Sequence, residues 1–391
     1  MKKVKVAFFA EILISDFDGA ARTMFQLFNR IDRDQFELLF ICASGPDQVN
    51  GFECFQIPSL PIPFNSHYVI GMPAVAATDI RQKLDAFGPD LVHIATPSFL
   101  GHFGLGYAKE KQLPVTSIYH THFVSYISYY FKYLPFLIKP IENRIKKLQN
   151  SFYGQCDKVY IPSTSIAKEL ADSGMPTHNM KIWKRGMDTS LFSPHKKDTQ
   201  YLQKLTGNNA PVILFASRLV WEKNLETLID IYRLLEEENF PCNFIVAGDG
   251  VARKECESKM PNAIFPGQLD HAELSILYAS ATVFVFPSVS ETFGNVVLEA
   301  MASGLVPVVA DGGGSRDFIE EGENGFKCEP YNAACYVEKI KELIRNTELR
   351  ARLSGNAIEY SRSYDWDELA RVYFSDLIEL AERTQKIALE D

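Results

Sequence analysis

The chain has 391 residues, 46% hydrophobic and 23% charged, with 23 Gly and 20 Pro; this excludes collagen-like, low-complexity and wholly disordered classes, and a length more than twice the roughly 150 residues of a typical domain predicts two domains. The net charge of −9 is unevenly carried, 20 Lys/Arg against 16 Asp/Glu in residues 1–185 and 20 against 33 in the rest, which argues against a broad basic face for duplex nucleic acid. No apolar run reaches the roughly 18 residues of a membrane span, and the seven Cys are scattered without CxxC spacing, against both a disulfide framework and a structural zinc site.

The opening VKVAFFAEIL is a continuous apolar run that Glu11 cuts short. No small-residue cleavage site follows, so it reads as a first strand and not a signal peptide, and a cytosolic chain is expected. A turn at Asp16-Phe17-Asp18-Gly19 leads into a helical pattern from Ala21 to Ile31. The same grammar recurs at FELLFICA (36–43), DLVHIAT (90–96), PVTSIYH (114–120) and KVYIPS (158–163). Such unbroken apolar runs alternating with helices predict a parallel sheet covered on both faces. Residues 186–209 are polar and lack a strand, which predicts a linker. The pattern then restarts with PVILFAS (211–217), NFIVAG (243–248), ATVFVFP (281–287) and LVPVVA (305–310), between helical runs at 224–238, 271–280 and 336–346. Two such sets predict two doubly wound α/β domains, since one open sheet of so many strands is unusual. An amphipathic segment at 366–386 predicts a last helix able to pack on either domain.

Doubly wound sheets bind ligands at the carboxyl ends of their strands. The richest such segment is FPSVSETFGNVVLEAMASGLVPVVADGGGS (286–315). Gly294 permits close backbone approach, and a helix expected from about Val296 to Ser303 directs free N–H groups and its positive dipole end outward, forming an anion site. Glu291 and Glu299 beside it are poor phosphate ligands but good acceptors for sugar or ribose hydroxyls, and the combination suits a nucleotide sugar. SRLVWEKN (217–224) places Arg218 and Lys223 at another strand end, where they would grip a diphosphate and stabilise charge on its departure; the bland alternative is a pair of surface bases matched with Glu222 and Glu226. Gly19 either admits a ligand to the backbone or simply makes a tight turn. SIYHTHF (117–123) brings His120 to a strand end, where an imidazole can bond a hydroxyl or relay its proton. Asp16-x-Asp18 and Asp365-x-Asp367 have a spacing used by metal-dependent sugar transferases, but two such matches in this length are unsurprising and no metal site is expected. GxSxG and GxxxxGK[ST] are absent, which removes the hydrolase elbow and the P-loop.

At this point the residues resemble glycosyltransferase family 4, the retaining GT-B group, over almost the whole chain. The most specific part is Glu, seven residues, Glu in ETFGNVVLE (291–299), followed by AMASGLVPV and the Gly turn 312–314; SRLVWEKN, VAGDG (246–250), FPGQLDHAELSILYASATVFVFPS (265–288) and KRGMDTSLF (184–192) match as well. The resemblance implies two Rossmann-like domains facing across a cleft, an N-terminal acceptor domain of 1–190 to which 365–391 returns, and a donor domain of 191–364. It implies that Glu291 holds the donor sugar hydroxyls, Glu299 the ribose, and Arg218 and Lys223 the phosphates. Phe293, Gly294, Asn295 and Val296 would contact the sugar and diphosphate through their backbone, Gly19 would meet the diphosphate, His120 would sit by the sugar and acceptor, and Gln268 and Leu269 by the base. It further implies catalysis without metal or cofactor and a hexose, of mannose or glucose type, moved with retention from a nucleoside diphosphate sugar such as GDP-mannose to a lipid or glycan hydroxyl. Residues 126–150, with five Lys/Arg, one Glu and many aromatics, suit either an anionic membrane surface, on the inner face of the cell membrane, or a core helix with a solvated edge. The competing functions are an epimerase or hydrolase of nucleotide sugars and a non-catalytic nucleotide-sugar binding protein.

Overall fold

The computed structural model describes residues 3–15, 17, 19–62, 65–120 and 135–390. Asp16, Asp18, His122 and the first part of the basic segment 126–150 lie outside the described residues. Those described fall into two compact units, one within Met1–Thr121, Lys139–Lys184 and Trp366–Asp391, the other built on Arg185–Asp365.

The first unit is organised on strands β1 (Val4–Ile12), β2 (Phe36–Ser44), β3 (Gln48–Val49), β4 (Phe52–Gln56), β5 (Ser59–Ile62), β6 (Asn65–Gly71), β7 (Leu91–Ile94), β8 (Val115–Ile118), β9 (Lys158–Ile161) and β10 (Met180–Ile182). Eight of them make one sheet in the order β10-β9-β8-β7-β1-β2-β4-β3, parallel except for the β3–β4 pair, while β5 and β6 form a separate antiparallel hairpin. β7, β8 and the centre of β1 are buried on both faces, the outcome that continuous apolar runs dictate in a helix-covered sheet. β2 departs from the expected grammar, since short strands follow it instead of a helix. The helix Trp366–Glu390 belongs to this unit. Trp366 packs on Trp183, whose indole N–H donates to the Leu369 carbonyl at 3.0 Å, and the Tyr373 hydroxyl meets Nδ1 of His93 at 2.9 Å. Burial pushes that imidazole down to about 3, so it stays neutral.

One turn further on, Asp376 is nearly buried and bound by Lys158 at 3.0 Å, Lys181 at 2.8 Å and the Tyr160 hydroxyl at 3.1 Å. Burial pulls its carboxyl upward, but the two ammonium groups outweigh that and hold it below the ordinary range. Removing one partner of a buried ion pair costs roughly 3–5 kcal/mol; with Lys181 partly open to water, Asp376→Ala is expected to cost about 2–3 kcal/mol, read as a lower urea midpoint, and Asp376→Asn less.

The second unit carries β11 (Val212–Ala216), β12 (Asn243–Ala247), β13 (Ile264–Gly267), β14 (Val283–Phe286), β15 (Val306–Ala310) and β16 (Phe326–Cys328), all parallel, in the order β13-β12-β11-β14-β15-β16. β11, β14 and β15 are buried along their whole length. The chain winds from β11 towards β13 and then resumes on the other side with β14, so the strand order reverses between β11 and β14, the place where such sheets take ligands.

Two expectations need correction. The segment 186–209 is not a linker: Phe192 is buried against Tyr278 and His271, and Asp198 caps a helix, Thr199–Thr206, that Gly207 ends. The crossing into the Arg185–Asp365 stretch falls at Lys184–Arg185 and not at 190/191, and within that stretch the Met187 N–H donates to the Tyr364 carbonyl at 2.7 Å.

Candidate functional site

The loops after β11 and β14 are laced together. Asn224 donates its side-chain amide to the Pro287 carbonyl at 3.1 Å, and the Ser290 hydroxyl donates to the Glu222 carbonyl at 2.8 Å. Between these ties lies the central contact, in which the Lys223 ammonium donates to Oε1 of Glu291. The Ser288 hydroxyl donates to the same oxygen at 3.2 Å. Lys223 is only 4% exposed, so the pair is largely withdrawn from water. Burial alone pushes the Glu291 carboxyl upward, but Lys223, the charge of Arg218 and the Ser288 hydroxyl outweigh it and hold the group below the ordinary carboxylate range. Arg218, exposed at the end of β11, is thus electrostatically joined to the same carboxylate. The bland alternative for the two cations, pairing with Glu222 and Glu226, is not what the fold does with Lys223.

Glu291 leads into Phe293, Gly294 and the helix Asn295–Ala302, which starts one residue earlier than the pattern predicts. Gly294 caps that helix at φ 90°, in the left-handed region, and a Cβ there would lie 2.1 Å from the Ser315 hydroxyl oxygen; only glycine fits. No side chain caps the helix, so the N–H groups of its first turn at Asn295 and Val296 have no side-chain acceptor there, the local geometry that suits an anion. The glycine turn 312–314 supports this loop from behind. The Gly314 N–H donates to the Glu291 carbonyl at 2.7 Å, and a Cβ on Gly314 would come within 2.2 Å of the Thr292 carbonyl oxygen.

Glu299 lies on the same helix, 7% exposed, with the Tyr278 hydroxyl donating to it at 3.4 Å. Phe293 is 1% exposed, its ring set edge-on to Phe318 at 4.8 Å and packed into the core of the unit. Gln268, exposed, and Leu269, half-buried, follow β13 directly. All of these residues, from Arg218 to Glu299, are in the second unit. Gly19 opens the helix Gly19–Phe28 of the first unit, and His120, 5% exposed, follows β8 there. Asp367 is paired with Arg30 at 2.5 Å. Among the described residues no group of three or more His, Cys, Asp or Glu side chains is arranged to hold a metal ion. Sequence reasoning missed Asn224, Ser288, Ser290 and Ser315, small polar residues whose only signal is their closeness to the singled-out motifs.

Two family profiles cover the chain, "Glycosyltransferase Family 4" over residues 17–191 and "Glycosyl transferases group 1" over 197–360. The sulfoquinovosyl transferase SQD2 of Arabidopsis thaliana is 31% identical over 377 residues, covering 93% of this chain and 71% of the relative. A GDP-mannose-dependent alpha-mannosyltransferase of Corynebacterium glutamicum is 25% identical over 98% of this chain and 91% of its own. The alpha-monoglucosyldiacylglycerol synthase of Streptococcus pneumoniae is 26% identical over 79% and 71%. Among solved structures, HepE of Anabaena in complex with UDP and glucose superposes with a TM-score of 0.73 at 20% identity, over 96% of this chain and 99% of that one. That likeness shows the fold, two Rossmann-like domains of the GT-B type.

Proposed function

The chain belongs to glycosyltransferase family 4, and from that premise we propose that it is a retaining, metal-independent hexosyltransferase acting on a hydroxyl of a lipid-linked or glycan acceptor. The observation that carries this reading is the buried Lys223–Glu291 pair, with Arg218 beside it, at the switch point where an uncapped helix begins. In the proposed reaction Glu291 accepts hydrogen bonds from the sugar hydroxyls and Glu299 from the ribose. Lys223, Arg218 and the N–H groups at Asn295 and Val296 take up the charge that grows on the leaving diphosphate, the task a metal ion performs elsewhere. The bond between the anomeric carbon and the diphosphate oxygen breaks, the acceptor oxygen bonds that carbon on the same face, and the acceptor proton passes to the departing diphosphate. Gln268 and Leu269 neighbour the base in this reading, while Gly19 and His120 serve the diphosphate and the acceptor.

The name of the Corynebacterium glutamicum relative favours GDP-mannose as donor, and that of the Streptococcus pneumoniae relative a glycolipid product. A lipid acceptor also suits the helix Pro135–Tyr153, on which Phe136 and Leu148 stand 72% and 55% exposed, with Arg144 and Lys147 next to the latter. Apolar and basic side chains together on the exposed part of one helix favour the surface of an anionic membrane.

The test begins with a thermal-shift screen of UDP- and GDP-sugars. The stabilising donor is then incubated alone, and with candidate acceptors that include lipid-linked sugars in anionic vesicles, with and without EDTA. A raised Tm with one donor class, product only when acceptor is present, and a rate unchanged by EDTA are expected. Free sugar or an epimer formed without acceptor would replace this reading by the hydrolase or epimerase, and a rate that depends on Mn²⁺ would overturn the metal-independent mechanism.

A further inference from the structure

Arg185 begins the Arg185–Asp365 stretch of the second unit and is 6% exposed. A guanidinium cannot shed its charge, and burying it is costly unless it is compensated. Part of the compensation is visible: the Arg185 guanidinium carbon lies 5.8 Å from the centroid of the Phe293 ring, within the distance at which the ring's negative face attracts a cation. Phe293 is the residue between the loop of Glu291 and the helix-opening Gly294.

The same ring is held from two other directions. Phe318, at the end of the short turn Gly314–Phe318 that follows the glycine turn, meets it at 4.8 Å, and Tyr364 meets it at 6.1 Å. Tyr364 in turn accepts the Met187 N–H through its carbonyl, two residues from Arg185, and its hydroxyl lies 2.9 Å from that of Tyr360. The segment entering the unit, the segment leaving it and the turn behind the donor loop therefore converge on one side chain. Among Arg185, Phe318 and Tyr364, Arg185 carries the charge, and a fixed positive charge behind an anion site adds to its potential.

We propose that Arg185 is a positioning residue of the donor site. Its guanidinium holds the Phe293 ring, and through it the backbone at Gly294 and Asn295, in the conformation that receives the diphosphate. This rests on the reading of that loop as the donor site. Arg185 is not itself assigned a contact with substrate.

The test uses the full chain with Arg185→Met, Arg185→Lys, Phe293→Leu and the double variant Arg185→Met/Phe293→Leu. Affinity for UDP and GDP is measured by calorimetry, Tm by circular dichroism, and kcat and KM with the donor that the screen identifies. Arg185→Met is expected to weaken nucleoside diphosphate binding about tenfold and to raise the donor KM more than it lowers kcat. Arg185→Lys should recover most of that loss, because it keeps a cation under the ring, and Arg185→Met should add less than threefold in the Phe293→Leu background. Unchanged nucleotide affinity in Arg185→Met, or full multiplicativity with Phe293→Leu, overturns the proposal. Should Arg185→Met fail to fold, the comparison of Arg185→Lys with Phe293→Leu decides it, an affinity loss confined to Phe293→Leu supporting the proposal and an equal loss in both overturning it. If the unaltered chain binds neither UDP nor GDP, the donor-site reading fails on its own, and the Tm cycle then decides the contact: additive Tm losses overturn it, and non-additive ones keep Arg185 as the holder of Phe293.

Discussion

Glu291→Ala is expected to lower kcat/KM by about a hundred- to a thousandfold while leaving the unit folded, the range measured when one preorganised polar group is removed from the reacting centre. Two effects combine in that variant. The sugar hydroxyls lose an acceptor, and Lys223, 4% exposed, is left as a nearly buried cation without its carboxylate. Glu291→Gln separates them, because it keeps volume and an acceptor oxygen but not the charge; it should retain about ten times more activity than the alanine variant. The pH dependence follows from the carboxyl being held below the ordinary range. A group whose folded value is depressed adds stability that is present above the ordinary glutamate value and is lost as pH falls through the depressed one. Wild type and Glu291→Gln should therefore differ most in urea midpoint above the ordinary value and draw together in stronger acid. The acid limb of kcat/KM that Glu291 causes should lie below the ordinary glutamate range and be missing from Glu291→Gln. Wild-type turnover in the alanine variant would remove Glu291 from the chemistry.

Much of this site could be read from residue order because its parts are local. A buried strand, a polar turn and a helix within FPSVSETFGNVVLEAM already put Glu291, Gly294 and the helix N-terminus at one sheet edge. What residue order does not contain is which strand lies next to which. The strands β11 and β14 are separated by β12 and β13 in the chain yet paired in the sheet, and only that pairing sets Lys223 against Glu291. The buried charge of Arg185 was hidden for the same reason: a lone Arg in KRGMD looks solvated until Phe293, 108 positions later, is seen to cover it. The helix Thr199–Thr206 escaped because TQYLQKLT is short and largely polar, although Asp198 before it and Gly207 after it are ordinary cap residues. The hairpin of β5 and β6 escaped because the prolines of SLPIPF break the apolar run that marks a strand.

Gly314→Ala is expected to be nearly as damaging as loss of Glu291, although it adds one methyl group and touches no charged atom. The glycine turn and the loop of Glu291 meet backbone to backbone: the Gly314 N–H donates to the Glu291 carbonyl at 2.7 Å, and the new Cβ would stand 2.2 Å from the Thr292 carbonyl oxygen. Neither side is the flexible end of a side chain, so relief requires the main chain of the loop to move by most of an ångström. Misplacement on that scale costs about a hundredfold in rate where reacting groups must be aligned, and overpacking of this kind costs roughly 1–3 kcal/mol in stability. The activity loss should thus exceed what the fall in Tm alone explains. Gly355→Ala is the matched comparison, since Gly355 lies in the helix Thr347–Ser361 with open space around its Cβ position. That variant should gain about 0.5–1 kcal/mol and keep full activity. If Gly314→Ala behaved like Gly355→Ala, the loop from Glu291 to Gly294 would not depend on the turn behind it, and the rigid donor site inferred from these contacts would be wrong.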